Sequence, residues 1–121
     1  MGSLLSEPDL AALQGPLADY VAAMARESVR VSAEGWVEDD LAFCEPWGFD
    51  LASITVPVAI WQGSEDRMVP FSHGQWLAAR VPTARAHLLE GVGHISLVAR
   101  LPEILADLAA HSAPAEQETQ R

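Results

Sequence analysis

The sequence predicts an α/β fold, with helices at the N-terminus and then a strand–helix–strand–helix unit whose strands are parallel. Of the 121 residues, 50% are hydrophobic and 20% are charged, which is typical of a globular chain. The run 58–61 is short and continuously apolar and stops near Gly63, as expected of a strand covered on both faces. A helical segment and a second strand follow within about 30 residues, the length of a βαβ unit, whose crossover makes its strands parallel.

The first helix is predicted from a capping pattern. Ser6 places a hydroxyl three residues before Asp9, and a proline lies in the first turn between them, so a short helix should run to about Gln14. Gly15 should end it. A second helix should follow through about Ser28, because apolar residues recur there at helical spacing, at Leu17, Tyr20, Val21 and Met24.

The segment from 29 to 53 mixes aromatic residues, acids and turn formers. We predict irregular structure there, with a short helix near Asp39. Trp36 and Trp47, together with Trp76 further along the chain, are expected to pack in the core or the helical region. The lone Cys44 cannot form an internal disulfide and is expected to be a small buried side chain.

The helix that connects the two strands should be capped by Ser72, run from 73 to 80 and end before Pro82. The second strand should occupy 85–89. Beyond it, an amphipathic helical stretch is expected from 97 to 108.

The terminal helix carries a proline at Pro102, where we expect it to be interrupted or restarted. The stretch 112–121 has almost no apolar bulk and is predicted to be a disordered tail.

Charge excludes several classes of partner. With 17 acidic against 7 basic residues, the formal net charge is −10, which repels phosphate backbones and anionic membrane surfaces. No apolar run approaches the roughly 20 residues of a membrane span, and no secretory signal is recognisable, so a cytoplasmic location is expected. Metal-ligand spacing is absent, so neither a metal nor another cofactor is expected.

Two turns at the carboxyl ends of the predicted strands carry chemically useful side chains. The turn after the first strand, 63–70, contains Asp66, and the turn 91–94 after the second ends at His94. Taken singly, each is an ordinary turn residue. Ligands gather at this edge of a parallel sheet, however, and a carboxylate there can hydrogen-bond one ring nitrogen of a histidine and fix its tautomer. We therefore expect an Asp66 oxygen about 3 Å from a His94 ring nitrogen.

These turns resemble a known family. The stretch 57–96 resembles the last two strands of α/β-hydrolases, in which a Gly-x-x-Asp-x-x-Val-Pro turn supplies the catalytic acid and a Gly-x-Gly-His turn the base. Asp66 and His94 stand at those positions, and the resemblance implies these roles for them. Residues 35–50 resemble the end of the family's helical cap. The implied organisation is a cap-like remnant with its return segment over 1–55, a C-terminal βαβα unit over 56–111 and the tail 112–121, together an incomplete α/β-hydrolase fold.

The chain departs from the family at the nucleophile. No Gly-x-Ser-x-Gly elbow precedes Asp66, an aspartate elbow is equally absent, and the strands that supply an oxyanion hole are missing. We therefore expect a hydrolase fragment that is inactive alone and that acts on a small ester-like or amide substrate only if completed. Trp61, close to the same edge, is a candidate for lining an acyl pocket.

Two alternatives remain open. In the first, the chain is a non-catalytic binding or assembly module that keeps a hydrolase scaffold. In the second, it is one half of a split hydrolase. The expected partners are a second copy, in a homodimer through the exposed edge of the first strand, or an N-terminal hydrolase chain.

Overall fold

The computed structural model of the protein describes residues 4–112 and combines helices with two strands. Short 3₁₀ segments occupy Leu51–Ser53 and Ser96–Arg100. The helices and strands, in chain order, are α1 (Glu7–Ala12), α2 (Gly15–Ser28), α3 (Glu34–Ala42), β1 (Val58–Gly63), α4 (Phe71–Ala78), β2 (Ala84–Leu89) and α5 (Leu101–Ser112).

The two strands are parallel neighbours, as predicted. Their register runs from Val58 opposite Ala84 to Gly63 opposite Leu89. Helix α4 makes the crossover and packs against both strands, and Val81, just beyond it, is a buried apolar side chain. Because both strands run in the same direction, their carboxyl ends meet at one edge, which brings the turns after them together.

The N-terminal helices follow the capping and spacing patterns of the sequence. Helix α1 ends at Ala12, two residues earlier than predicted. Gly15 has a φ of +54°, a backbone conformation that glycine adopts at little cost, and the chain turns there into α2. The short helix predicted near Asp39 is α3.

Helix α4 corrects one expectation. It begins at Phe71, so Ser72 lies inside its first turn and not at its cap. The reason is that the Pro70 carbonyl accepts the His73 N–H at 2.8 Å, so the first turn closes over Ser72 and Pro70 takes the cap position. At α5, the interruption expected at Pro102 appears as a 3₁₀ segment up to Arg100 followed by a new helix with the proline in its first turn. The tail predicted over 112–121 lies, beyond Ser112, outside the described residues.

The burial of several side chains also differs from what the sequence predicts. The sequence predicts packed tryptophans, but Trp36, Trp47 and Trp76 are exposed in the described part of the chain. Cys44 is exposed as well, contrary to expectation. In strand β1 Ala59 is exposed, so coverage of both faces is also wrong for residues 4–112. The physical reason is the same in each case, because two strands with one crossover helix provide too few layers to cover these side chains.

The exposed aromatic side chains pack on one another. The indole of Trp76 meets the edge of Trp47 at 6.3 Å between ring centroids, and the Arg80 guanidinium lies 4.2 Å above the Trp76 ring. Such contacts shield part of each ring from water without forming a closed core. None of the helices within residues 4–112 has the length and apolar character needed to cross a membrane.

Candidate active site

The turns after β1 and β2 are joined by backbone hydrogen bonds. Ser64 donates its N–H to the carbonyl of Leu89 at 2.8 Å, and Glu65 donates to the carbonyl of Val92 at 2.9 Å. In return, the Gly91 N–H donates to the Ser64 hydroxyl at 2.9 Å. These bonds continue the parallel pairing beyond the strands, so the two turns lie side by side.

Asp66 and His94 are brought into contact by this arrangement. Oδ2 of Asp66 lies 3.0 Å from Nδ1 of His94, although 28 residues separate them in sequence. The expected geometry is thereby confirmed. The Asp66 side chain is only 6% exposed, whereas that of His94 is 43% exposed. The carboxylate is therefore shielded, and the imidazole faces open space.

The Asp66 carboxylate is held in place by its own turn. Its Oδ1 accepts the N–H groups of Met68 at 2.9 Å and Val69 at 2.8 Å. With Oδ1 bound to the backbone, Oδ2 remains for the imidazole. A carboxylate held in this way can orient a histidine through its second oxygen.

The turn that carries Asp66 is also held by the buried side-chain amide of Gln62. Gln62, at the end of β1, donates from Nε2 to the carbonyls of Val69 at 2.8 Å and Pro70 at 3.1 Å. The side chain is buried, and Gly74 of α4 leaves room for it, because a Cβ there would lie 2.2 Å from Gln62 Oε1. The Val69 carbonyl therefore accepts a hydrogen bond from Gln62, and the Val69 N–H donates one to Asp66.

The turn that carries His94 is held by an acid from the other end of the chain. Asp9 of α1 accepts the N–H of His94 on Oδ2 at 3.2 Å and the N–H of Ser96 on Oδ1 at 2.9 Å. Its Oδ2 also accepts the Ser6 hydroxyl at 2.8 Å and the Ser6 N–H at 3.3 Å. Asp9 has no exposed surface.

Burial and hydrogen bonding act on Asp9 in opposite directions. Desolvation disfavours its charge, but the bonds from the Ser96 N–H, the Ser6 hydroxyl and N–H, and the His94 N–H outweigh it and hold the pKa of Asp9 below its ordinary value. The close packing depends on Gly93, where a Cβ would lie 2.3 Å from both Asp9 Oδ1 and Ser6 Oγ. Asp9 is therefore an ionised, fully enclosed carboxylate.

Sequence reasoning missed the roles of Asp9 and Gln62. Asp9 was interpreted as a capping residue, which it is, since the Ser6 N–H donates to it. Its second set of partners lies 85 and 87 residues away, and no local pattern encodes that distance. For Gln62, the available signal is a polar residue between the apolar run 58–61 and Gly63.

The contact with Asp66 engages one ring nitrogen of His94 and leaves the other available. When Nδ1 donates to the carboxylate, Nε2 carries the lone pair and can accept a proton. Asp66 and His94 border a groove of about 390 Å³ along β1, lined also by Ile60, Trp61 and Leu97. An imidazole beside an apolar groove can move protons for a substrate bound there.

The other residues singled out near this edge occupy distinct places. Glu65, which precedes the acid in sequence, is exposed. Trp61 lies in the groove and stacks on His87, with ring centroids 3.9 Å apart. Within residues 4–112, no group of three or more histidine, cysteine or acidic side chains is placed to hold a metal ion.

Comparison with known proteins finds similarity to α/β-hydrolase domain-containing proteins. The chain is 39% identical over 67 residues to α/β-hydrolase domain-containing protein 17C of Xenopus tropicalis, a match covering 53% of this chain and 22% of the relative. The corresponding proteins of Mus musculus and Homo sapiens are each 37% identical over 67 residues, covering 53% of this chain and 21% and 20% of the relatives.

These matches are partial. The chain spans about a fifth of the length of the curated relatives it matches. No family model matches the sequence, and no solved structure does. The resemblance that the two turns carry is nevertheless confirmed, since over about half of its length this chain is homologous to α/β-hydrolase domain-containing proteins.

Proposed function

We propose that this chain supplies the acid and the base of a hydrolase that cleaves an ester-like or amide bond, with the nucleophile provided from outside these 121 residues. The observation that carries the proposal is the 3.0 Å contact between Asp66 and His94 at the carboxyl ends of two parallel strands. The name of the relatives, which describes an α/β-hydrolase domain, supports the same class of reaction.

His94 moves the proton in this reaction. Nε2 accepts the hydroxyl proton of the nucleophile as its oxygen attacks the carbonyl carbon, and the imidazolium then protonates the leaving alcohol or amine. In the second half, the same nitrogen accepts a proton from water, which releases the acid product. Asp66 keeps Nδ1–H oriented and stabilises the imidazolium through Oδ2.

The outer edge of β1 is where the completing part of the fold would dock. In this proposal 1–55 is a cap-like region and 56–111 the C-terminal βαβα unit of an incomplete hydrolase fold. Within residues 4–112, the sheet has two strands, so the outer edge of β1 has no strand beside it. An added strand would bring its own carboxyl end to the edge occupied by Asp66 and His94.

The chain alone should be inactive. Its sequence contains neither Gly-x-Ser-x-Gly nor an aspartate elbow, and two of the serines in or next to the two turns serve as acceptors for backbone N–H groups. Ser64 accepts the N–H of Gly91, and Ser96 accepts that of Gly93 at 2.7 Å. The free Cys44 suits a reducing cytoplasm, in which we place the reaction.

A second candidate function is an assembly module that retains the hydrolase scaffold without catalysis. It is favoured by the exposed apolar side chains, which include Leu41, Phe43, Leu105 and Leu108. Exposed apolar side chains mark an interaction site where they form a continuous patch. The partner would be a second copy that pairs with the outer edge of β1, or an N-terminal hydrolase chain.

A chimera tests the catalytic proposal. The full chain, which includes Asp9, replaces the segment of the human relative that it matches, and labelling of the chimera by a fluorophosphonate probe is timed. We expect His94→Ala and Asp66→Asn to slow labelling by at least about 100-fold, because acid and base act as a unit with the nucleophile.

Matched controls are available on the same elements. The exposed His73→Ala and Glu65→Gln should leave labelling unchanged. A folded chimera that labels equally fast with and without His94 would refute the catalytic proposal and leave the assembly module as the better reading.

A further inference from the structure

Asp9 is the most completely enclosed charged group in the described part of the chain. The relative exposed area of Asp9 is 0%, and that of Ser6 is also 0%. An isolated buried carboxylate is strongly unfavourable, so each of its oxygens requires donors. Those donors come from two places, Ser6 at the start of α1 and the turn that carries His94.

Capping of α1 alone does not account for this arrangement. A capping acid needs contact only with the start of its own helix and is ordinarily solvent-exposed. Here Oδ1 is committed to Ser96 at 2.9 Å, and Oδ2 is shared between Ser6 and the N–H of His94 at 3.2 Å. The carboxylate therefore links the first helix to a turn 85 residues further along.

The contact fixes the backbone on which the imidazole is mounted. The N–H groups of His94 and Ser96 are both held by Asp9, and the Gly93 N–H is held by the Ser96 hydroxyl at 2.7 Å. On this held turn, Nδ1 of the His94 ring lies 3.0 Å from Oδ2 of Asp66. His94 is thus restrained from two sides, at its backbone by Asp9 and at its ring by Asp66.

A second contact holds Leu5, just before α1, beside the turn that carries Asp66. Arg67, the residue after Asp66, donates from Nη1 to the carbonyl of Leu5 at 3.4 Å. The start of α1 therefore contacts both catalytic turns. Desolvation opposes the charge of Asp9, yet the donor set keeps its pKa below the ordinary value, so the link is ionised at neutral pH.

We propose that Asp9 is a positioning residue for His94, so that docking of α1 on the turn 93–96 aligns the imidazole with Asp66. The inference rests on the proposed function, in which His94 is the base. It deepens that function by making the alignment of the base depend on a segment of the cap-like region. Release of α1 would free the turn and uncouple the imidazole from its acid.

Nuclear magnetic resonance of the full chain tests the proposal without any need for activity. Asp9→Asn keeps the size of the side chain but removes its charge and turns an NH₂ group toward N–H donors. We expect hydrogen exchange at the His94 and Ser96 amides to accelerate about tenfold or more, because a bond to a charged acceptor is among the stronger ones. The ring of His94 should change from one tautomer to a mixture, read from its two ¹⁵N shifts.

Controls separate positioning from general destabilisation. Exchange at the amides of β2 should be unchanged in Asp9→Asn, and Asp19→Asn, an exposed acid on α2, should alter neither readout. Unchanged tautomer and exchange in a folded Asp9→Asn chain would overturn the proposal. If that variant does not fold, Ser6→Ala decides, since it removes one donor to Asp9; faster exchange at His94 supports the proposal and no change overturns it.

The two proposals fail separately. A labelled chimera insensitive to His94 would refute the catalytic role while the effect of Asp9 on the turn stands. A chimera that needs His94, combined with an unaffected His94 ring in Asp9→Asn, would refute the positioning role alone.

Discussion

Gly63 approaches the backbone of Val92 so closely that a Cβ at Gly63 would lie 1.9 Å from the Val92 carbonyl oxygen. This approach sets the turn of Asp66 beside the turn of His94, because the same carbonyl accepts the N–H of Glu65 at 2.9 Å. Any side chain at Gly63 must therefore separate the turn of Asp66 from the turn of His94.

Gly63→Ala should destabilise the chain and loosen the contact between Asp66 and His94. Inserting a methyl group against backbone is overpacking, for which we expect a loss of about 1–3 kcal/mol in the free energy of unfolding, measured by urea denaturation. Gly35→Ala is the matched control, since nothing lies within 4 Å of a Cβ there and the site is helical. The control should be neutral or stabilising, by up to about 1 kcal/mol. Equal stability of the two variants would contradict the argument.

At acid pH, the free energy of unfolding should decrease as Asp9 becomes protonated. The pKa of Asp9 is lowered in the folded state, so its contribution is complete above the unfolded value, near pH 4, and is lost as pH falls through the lower folded value. The difference in unfolding free energy between the natural chain and Asp9→Asn should be constant from about pH 6 to 8 and shrink below about pH 4. A difference that widens on acidification would reverse the sign and refute the assignment.

The isolated chain should not hydrolyse activated esters above the level of a His94→Ala control. The reason is the absence of a nucleophile elbow, without which the imidazole has no hydroxyl to activate. Spectrophotometric assay with a nitrophenyl ester and labelling with a fluorophosphonate probe check this together. Stoichiometric labelling of any serine would show that the nucleophile lies within these residues.

Assembly should follow from the free edge of β1, which within residues 4–112 pairs only with β2. We expect a homodimer, or a larger assembly, in light scattering at micromolar concentration, since an unpaired strand edge is a template for association. Ile60→Lys, on the groove side of β1, should shift the population toward monomer.

Val31→Lys is the matched control for assembly. Val31 is 87% exposed and outside the strands, so the substitution should not change the mass observed. A well-folded natural chain that stays monomeric throughout the concentration series would refute assembly through this edge.

The sequence by itself determined the α/β class, the parallel pairing and the Asp66–His94 contact. Each depends on information that is local or nearly so: an apolar run ended by glycine for β1, a crossover that dictates parallel strands, and turns whose place at the carboxyl edge follows from that direction. The start of α4 differs from the prediction, as Pro70 and not Ser72 precedes the helix, because two residues only two positions apart both suit a helix entry.

Only the tertiary structure decided the partners of Asp9 and the exposure of the tryptophans. An acid that caps its own helix looks the same in sequence whether or not its second oxygen reaches a turn 87 residues away, since that bond depends on where α1 docks. Likewise, an apolar residue such as Trp47 signals a tendency to be buried, but burial requires a neighbouring layer, and within residues 4–112 two strands and one crossover helix do not cover it. Contacts between distant segments are a property of the folded arrangement, which local patterns constrain but do not specify.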